Sequence, residues 1–278
     1  MPVSIDDTLA RIDGWGATSA AAALVGPDGV VAVHGDDRHA FRWASLTKLV
    51  TAMAVLVAVD DGVIDLDEPA GPPGATVRHL LAHASGLPFE GSVPIARPGS
   101  RRIYANAGYD ALGTLLAERD GLDVEPALRR RALDPLGMTD TILLDRPSQG
   151  LHGPLTDLVA LARELLRPTL LTPATATAMR TLAYPGLIGV LPGVGRFDPL
   201  DWGLGPEIKD GKDPHWMGAR VSPGTFGHFG GSGTFIWVDP VLDRACIALT
   251  DRAYDTWAMG AWPPFNDAVV EALTPGDR

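Results

Sequence analysis

The amino-acid sequence predicts an α/β fold, with a β-sheet built from both ends of the chain and a mainly helical region inserted between them. Two observations carry the prediction. Short apolar runs bounded by turn residues crowd the first 35 positions and return between 225 and 250, while helical patterns fill the middle. The expected division places residues 1–70 and 170–278 in a discontinuous sheet domain and residues 71–169 in the inserted helical domain. A chain of 278 residues with 46% hydrophobic content has ample material for such a core.

Residues 20–25 and 30–34 flank Gly26-Pro27-Asp28-Gly29, so they read as two strands joined by a tight turn. Residues 46–60 are apolar nearly all round and stop at Gly62, the pattern of a buried helix. Residues 68–74 are rich in proline and glycine and mark a crossing between domains. Helices are expected over 77–84, 107–119 and 124–133, and from an N-cap at Thr156 to about Leu166, where Pro168 stops the run. Residues 185–225 are dense in Gly, Pro and Trp and read as loops with short strands. Strands follow over 225–230, 234–238 and 245–250, with Asp239-Pro240 in the second turn, and a helix over 257–273 closes the fold.

A formal net charge of −11 argues against a nucleic-acid backbone or an anionic membrane surface as partner. One cysteine, Cys246, excludes an internal disulfide and a cysteine-rich metal cluster, and its apolar strand marks it as a core thiol. Residues 1–16 lack the regions of a secretory signal, and the longest uncharged apolar stretch, 49–59, is too short to span a bilayer. A soluble cytoplasmic protein is therefore expected. His79 and His83 have zinc-pair spacing on a helix, but Leu80 stands where a zincin carries its glutamate, so no metal and no cofactor is expected. The tryptophans cluster late and read chiefly as core. Arg129-Arg130-Arg131 reads as a solvated helix face, and Lys209 and Lys212 as a solvated polar loop.

Scarce residues carry the chemistry. The chain has nine serines and three lysines, so about 0.1 Ser-x-x-Lys pairs are expected by chance, yet Ser45-Leu46-Thr47-Lys48 is one. Ser45 opens the buried helix, and Lys48 lies one turn on along the same face. A lysine amine takes a serine proton only when neutral, and burial at a helix N-terminus favours the neutral form. Tyr104-Ala105-Asn106 is a second motif, with about 0.03 expected from four tyrosines and two asparagines. It precedes a helix, where a loop can aim a phenol and an amide into a cleft and relay protons. His228-Phe229-Gly230 is weaker alone, but it sits in the glycine-rich run 227–233 that opens a series of strands. The N–H of Gly231 is placed to serve with that of Ser45 as an oxyanion hole.

Ser-x-x-Lys, Tyr-x-Asn and His-x-Gly, in that order, resemble the serine β-lactamase and penicillin-binding protein family, in particular class C β-lactamases, D-alanyl-D-alanine carboxypeptidases and family VIII carboxylesterases. Flanking segments agree. Residues 62–69 resemble the stretch after the family's nucleophile helix, and residues 79–88 its "HLLTHTSGLP". Residues 98–109 resemble "PG…YSNxGY", and residues 135–141 match "PLGMxDT". The resemblance implies an antiparallel sheet flanked by helices. It implies Ser45 as acylated nucleophile, Lys48 and Tyr104 as the acid–base network, and Asn106 as a group orienting substrate or Lys48. It places His228, Phe229 and Gly230 along the opposite side of the cleft.

One departure bears on substrate. The family's third motif usually supplies a cation or a hydroxyl for the substrate carboxylate. Here the histidine is mostly neutral at pH 7 and Phe229 offers no hydrogen bond. The expected function is a serine hydrolase acting through an acyl-enzyme on small neutral esters or amides, with no nucleic-acid or membrane partner. A true β-lactamase or D-Ala-D-Ala-type peptidase is the alternative among enzymes. A catalytically weak acyl-binding or sensor protein is the alternative from another class.

Overall fold

The apolar runs at the two ends of the chain pair with each other. The computed structural model describes residues 4–273. In chain order its elements are α1 (Ile5–Leu9), β1 (Ala20–Gly26), β2 (Gly29–Gly35), β3 (Phe41–Arg42), α2 (Thr47–Asp60), α3 (Val77–Leu81), β4 (Arg102–Ile103), α4 (Asn106–Asp120), α5 (Val124–Leu128), β5 (Ile142–Leu143) and β6 (Leu151–Gly153). They continue with α6 (Leu155–Leu166), α7 (Pro173–Arg180), β7 (Gly189–Leu191), β8 (Gly195–Phe197), β9 (Glu207–Ile208), β10 (Phe226–Gly230), β11 (Thr234–Asp239), β12 (Arg244–Thr250) and α8 (Thr256–Leu273). The main sheet has six strands in the order β2-β1-β12-β11-β10-β9, all antiparallel. β1 lies against β12 with Ala20 opposite Thr250. Two three-stranded sheets, β3-β6-β5 and β4-β7-β8, complete the strands.

The central strands read as unbroken apolar runs because both faces of the sheet are covered. Side chains alternate across a strand, and the two buried clusters divide them accordingly. Ala21, Ala23, Ile236, Val238, Ala245 and Ile247 join α2 and α6 in the larger cluster. Ala22, Leu24, Phe235, Trp237, Cys246 and Ala248 join α1 and α8 in the other, with Trp15, Trp216 and Trp262. Burial pushes the Cys246 thiol well up. No helix among the described residues is long and apolar enough to cross a membrane.

Several elements differ from expectation. The helix over 77–84 stops at Leu81, because the chain turns at His83 into the left-handed region, with φ of 54°. α6 starts at Leu155 with Pro154 in the cap position, so Thr156 lies inside the helix and does not cap it. Pro154 supplies the extended entry and needs no N–H partner. α7 follows a Thr-Pro start signature, in which the Thr172 side chain caps the N–H of Thr175. The expected helix 124–133 is α5 continued by a π-helical turn, Arg129–Leu133.

Two expectations of solvation are overturned. Arg131 is buried and clamps Asp120 at the end of α4 to Asp61 just beyond α2, with Arg131 Nε 2.9 Å from Asp120 Oδ2 and Nη1 2.5 Å from Asp61 Oδ2. Lys209 and Lys212 are also buried. For Lys212 the cause is Glu207, itself fully buried, since a buried carboxylate needs donors and cations around it, while the Lys209 amine donates to the Lys212 carbonyl. His215 Nε2 lies 2.9 Å, Trp216 Nε1 2.8 Å and Lys212 Nζ 3.2 Å from its carboxylate oxygens.

Candidate active site

A 3-10 turn, Ala44–Leu46, leads directly into α2 and carries Ser45. Ala44 sits at φ of 46°, a left-handed conformation that costs a non-glycine residue about 1–2 kcal/mol. Lys48 follows on the first turn of α2, fully buried because that helix is covered on nearly every face. Its Nζ donates to Ser45 Oγ at 3.1 Å, to Asn106 Oδ1 at 2.6 Å and to the carbonyl of Ser148 at 2.8 Å. All three acceptors are uncharged. Burial pushes the amine down to about 7; the carboxylates of Asp110 and Glu90 oppose the fall and Arg146 adds to it.

Asn106 is the first residue of α4, and its Nδ2 donates to Glu90 Oε1 at 2.8 Å. Arg146 holds Glu90 at 2.7 Å and Asp110 at 3.0 Å. The hydrogen bonds from Arg146 and Asn106 bring the Glu90 carboxyl down to about 2, so it stays ionised. The segment following Arg146 is hung on α2, where Thr51 donates to the Pro147 carbonyl at 2.7 Å and Thr47 Oγ1 accepts from the Leu151 N–H at 3.0 Å.

Tyr104 comes directly after β4. Its ring lies 4.5 Å from that of His83 and 5.9 Å from those of Phe89 and Trp202. His83 Nδ1 accepts from the N–H of Ala105 at 3.1 Å, which fixes the backbone beside the phenol. Burial pushes the Tyr104 hydroxyl well up, and a hydrogen bond with Ser45 partly offsets this. His228 lies on β10 across the cleft. Its Nδ1–H donates to the Phe229 carbonyl at 2.7 Å, so Nε2 is the acceptor, 3.5 Å from the Tyr104 hydroxyl. Burial, then the nearby Lys48 charge, pushes this imidazole down to about 3, so it is neutral at pH 7.

A cavity of about 190 Å³ opens over Ser45, bordered by Tyr104, Leu191, His228, Phe229, Gly231 and Tyr254. The structure therefore brings Ser45, Tyr104, His228, Phe229 and Gly231 to one opening, with Lys48 and Asn106 behind Ser45. Gly230 packs elsewhere. A Cβ there would stand 2.3 Å from the Trp43 carbonyl, so the glycine lets β10 approach the turn that carries Ser45. His79 does not pair with His83; its Nδ1 accepts from the Thr76 N–H at 3.2 Å in a capping box.

Sequence reasoning missed Ser148, Glu90, Asp110 and Arg146. No local pattern marks them. Only His83, inside the segment 79–88, carried a signal of its own.

A family model described as Beta-lactamase matches residues 5–270. The crystal structure of a β-lactamase from Mycobacterium bovis superimposes with a TM-score of 0.94 at 46% identity, over 96% of this chain and 99% of that one. D-alanyl-D-alanine-carboxypeptidase/endopeptidase AmpH of Escherichia coli strain K12 is 30% identical over 145 residues, 39% of this chain and 38% of its own length. Monacolin J acid methylbutanoyltransferase of Aspergillus terreus is 29% identical over 152 residues, 36% of this chain and 37% of its own length. The chain thus spans well under half the length of these two curated relatives. The whole-chain family match and the M. bovis likeness place this chain in the β-lactamase family.

Proposed function

We propose that the protein is a serine hydrolase that works through an acyl-enzyme on Ser45 and accepts small neutral esters or amides. The observation that carries this reading is the Lys48 amine, buried without a counter-ion 3.1 Å from Ser45 Oγ and brought down to about 7. Lys48 takes the Ser45 proton as Oγ forms a bond to the substrate carbonyl carbon and the carbonyl electron pair moves onto oxygen. The N–H groups of Ser45 and Gly231 receive that oxyanion. Collapse expels the alkoxide or amine, which takes a proton from the Tyr104 hydroxyl; Lys48 then returns the serine proton to Tyr104. Tyr104 suits the donor role because burial keeps its phenol protonated. Water, activated by the same amine, hydrolyses the acyl-enzyme.

The neutral-substrate preference rests on the third motif. His228 is neutral at pH 7 and Phe229 presents a ring, so the cleft offers no cation beside the acyl group. A second reading, β-lactam hydrolysis, is favoured by the 46% identity to the M. bovis protein. Turnover of p-nitrophenyl butyrate and of nitrocefin, in wild type and Ser45→Ala, separates the two. Ester kcat/KM is expected to exceed that for nitrocefin and to fall at least about 10³-fold in Ser45→Ala. The reverse order of substrates would establish the β-lactam reading. A fluorophosphonate adduct seen by intact-protein mass spectrometry is expected on wild type and absent from Ser45→Ala; no adduct on wild type would leave an acyl-binding or sensor protein.

A further inference from the structure

The cavity over Ser45 does not end at Tyr104. A groove of about 960 Å³ adjoins it, and the two share Phe89, Tyr104 and Pro192. The groove carries large apolar side chains open to solvent: Ile95 is 65% exposed, Val190 57% and Ile188 37%. Uncovered apolar surface of this kind marks a binding face. Three arginines, Arg101, Arg102 and Arg196, line the same groove, and no acidic residue does.

No ion pair cancels the charges on Arg101 and Arg196, whereas the buried Arg102 feels the carboxylate of Asp201. None of the ion pairs among the described residues uses Arg101, Arg102 or Arg196. Arg102 is buried beneath the groove, its guanidinium held by the carbonyls of Leu200, Ala82, Ala183 and Tyr184. Arg101 and Arg196 stand exposed. On β7 and β8, Val190 is the register partner of Arg196, so an apolar and a cationic side chain stand side by side on one face. In a chain of net charge −11, a groove with three cations and no carboxylate is a local reversal of sign.

We infer that this groove is a leaving-group subsite for an alcohol or amine with an apolar body and an anionic end. The inference rests on the proposed hydrolase reading, because that reading fixes the direction. The departing oxygen or nitrogen takes its proton from Tyr104, so it leaves on the Tyr104 side, where the groove begins. The neutral acyl group then occupies the smaller cavity over Ser45, which Phe229 and Tyr254 line. The absent cation of the third motif and the surplus cations of the groove are thus two halves of one preference: neutral acyl part, anionic leaving part.

The test uses butyryl esters of straight-chain ω-hydroxy acids of increasing length, each assayed beside its neutral ω-methyl ester. The expected kcat/KM ratio, carboxylate over methyl ester, is about tenfold for chains long enough to reach the arginines, carried by KM and diminished by salt. In Arg101→Ala/Arg196→Ala the ratio is expected to fall close to one, and Arg101→Lys/Arg196→Lys to retain most of it. The ratio reads each variant against itself, so loss of folded protein cancels. A wild-type ratio within about twofold of one at every length, or a ratio that survives the alanine variant, overturns the inference. If those esters are still hydrolysed in a Ser45-dependent way, the hydrolase reading stands alone; turnover that ignores Ser45→Ala, or no turnover, sinks both.

Discussion

Lys48 is buried with only neutral oxygens around its amine: a serine hydroxyl, an asparagine amide and a backbone carbonyl. The carboxylates of Glu90 and Asp110 are near enough to be felt, but Arg146 occupies both. Desolvation therefore wins, and the amine falls from the usual lysine value of 10.5 to about 7. The sign of the pH dependence follows. Below about 7 the amine is protonated and cannot accept the Ser45 proton; above it the neutral amine accumulates. The logarithm of ester kcat/KM is expected to rise with unit slope on the acid side and level off above about pH 7. His228, neutral from about 3 upward, contributes no second acid limb in that range. A rate profile flat from about pH 5 to 9 would remove Lys48 as the base.

At the scale of elements, α2 is the axis of the site. It presents Ser45 and Lys48 at its entrance, and its far end is tied to α4 by Arg131. That tie runs between a buried guanidinium and Asp120, whose side chain is 2% exposed, with Asp61 as second partner. Arg131→Ala removes the paired cation from Asp120 and Asp61, which costs about 1–3 kcal/mol. The expected outcome is a marked drop in Tm, measured by circular dichroism, with α4 and hence Asn106 loosened. A change in Tm no larger than that of a surface arginine, such as Arg163→Ala, would show the tie to be idle. The Glu207 cluster follows the same physics in the loop over β9: Glu207, Lys212 and His215 are interior because they satisfy one another.

At the scale of the whole molecule, the larger apolar cluster is continuous. It joins β1, β11 and β12 of the sheet to α2, α4 and α6, across both the sheet region and the inserted helices. A core shared in this way couples the two regions, so thermal unfolding is expected as one cooperative transition by calorimetry, despite the expected domain division at 70 and 170. Two resolved transitions would show that the inserted helices fold on their own. Removing a fully buried side chain of this core, as in Leu49→Ala, is expected to destabilise the protein in that single transition by a large-to-small core penalty of about 2–5 kcal/mol.

The sequence by itself determined the pairing of the two ends into one sheet, the buried helix after Ser45 and the three motifs of the site. These depend on period and short spacing, which the chain carries locally. The scarcity of serine, lysine, tyrosine and asparagine made the short spacings informative. Only the tertiary structure decided that Lys48 has no counter-ion, because its partners Asn106 and Ser148 lie 58 and 100 residues away along the chain. Only it decided that Arg131, Lys209 and Lys212 are interior. A residue's solvation depends on what packs over it from distant elements, and no local pattern records that.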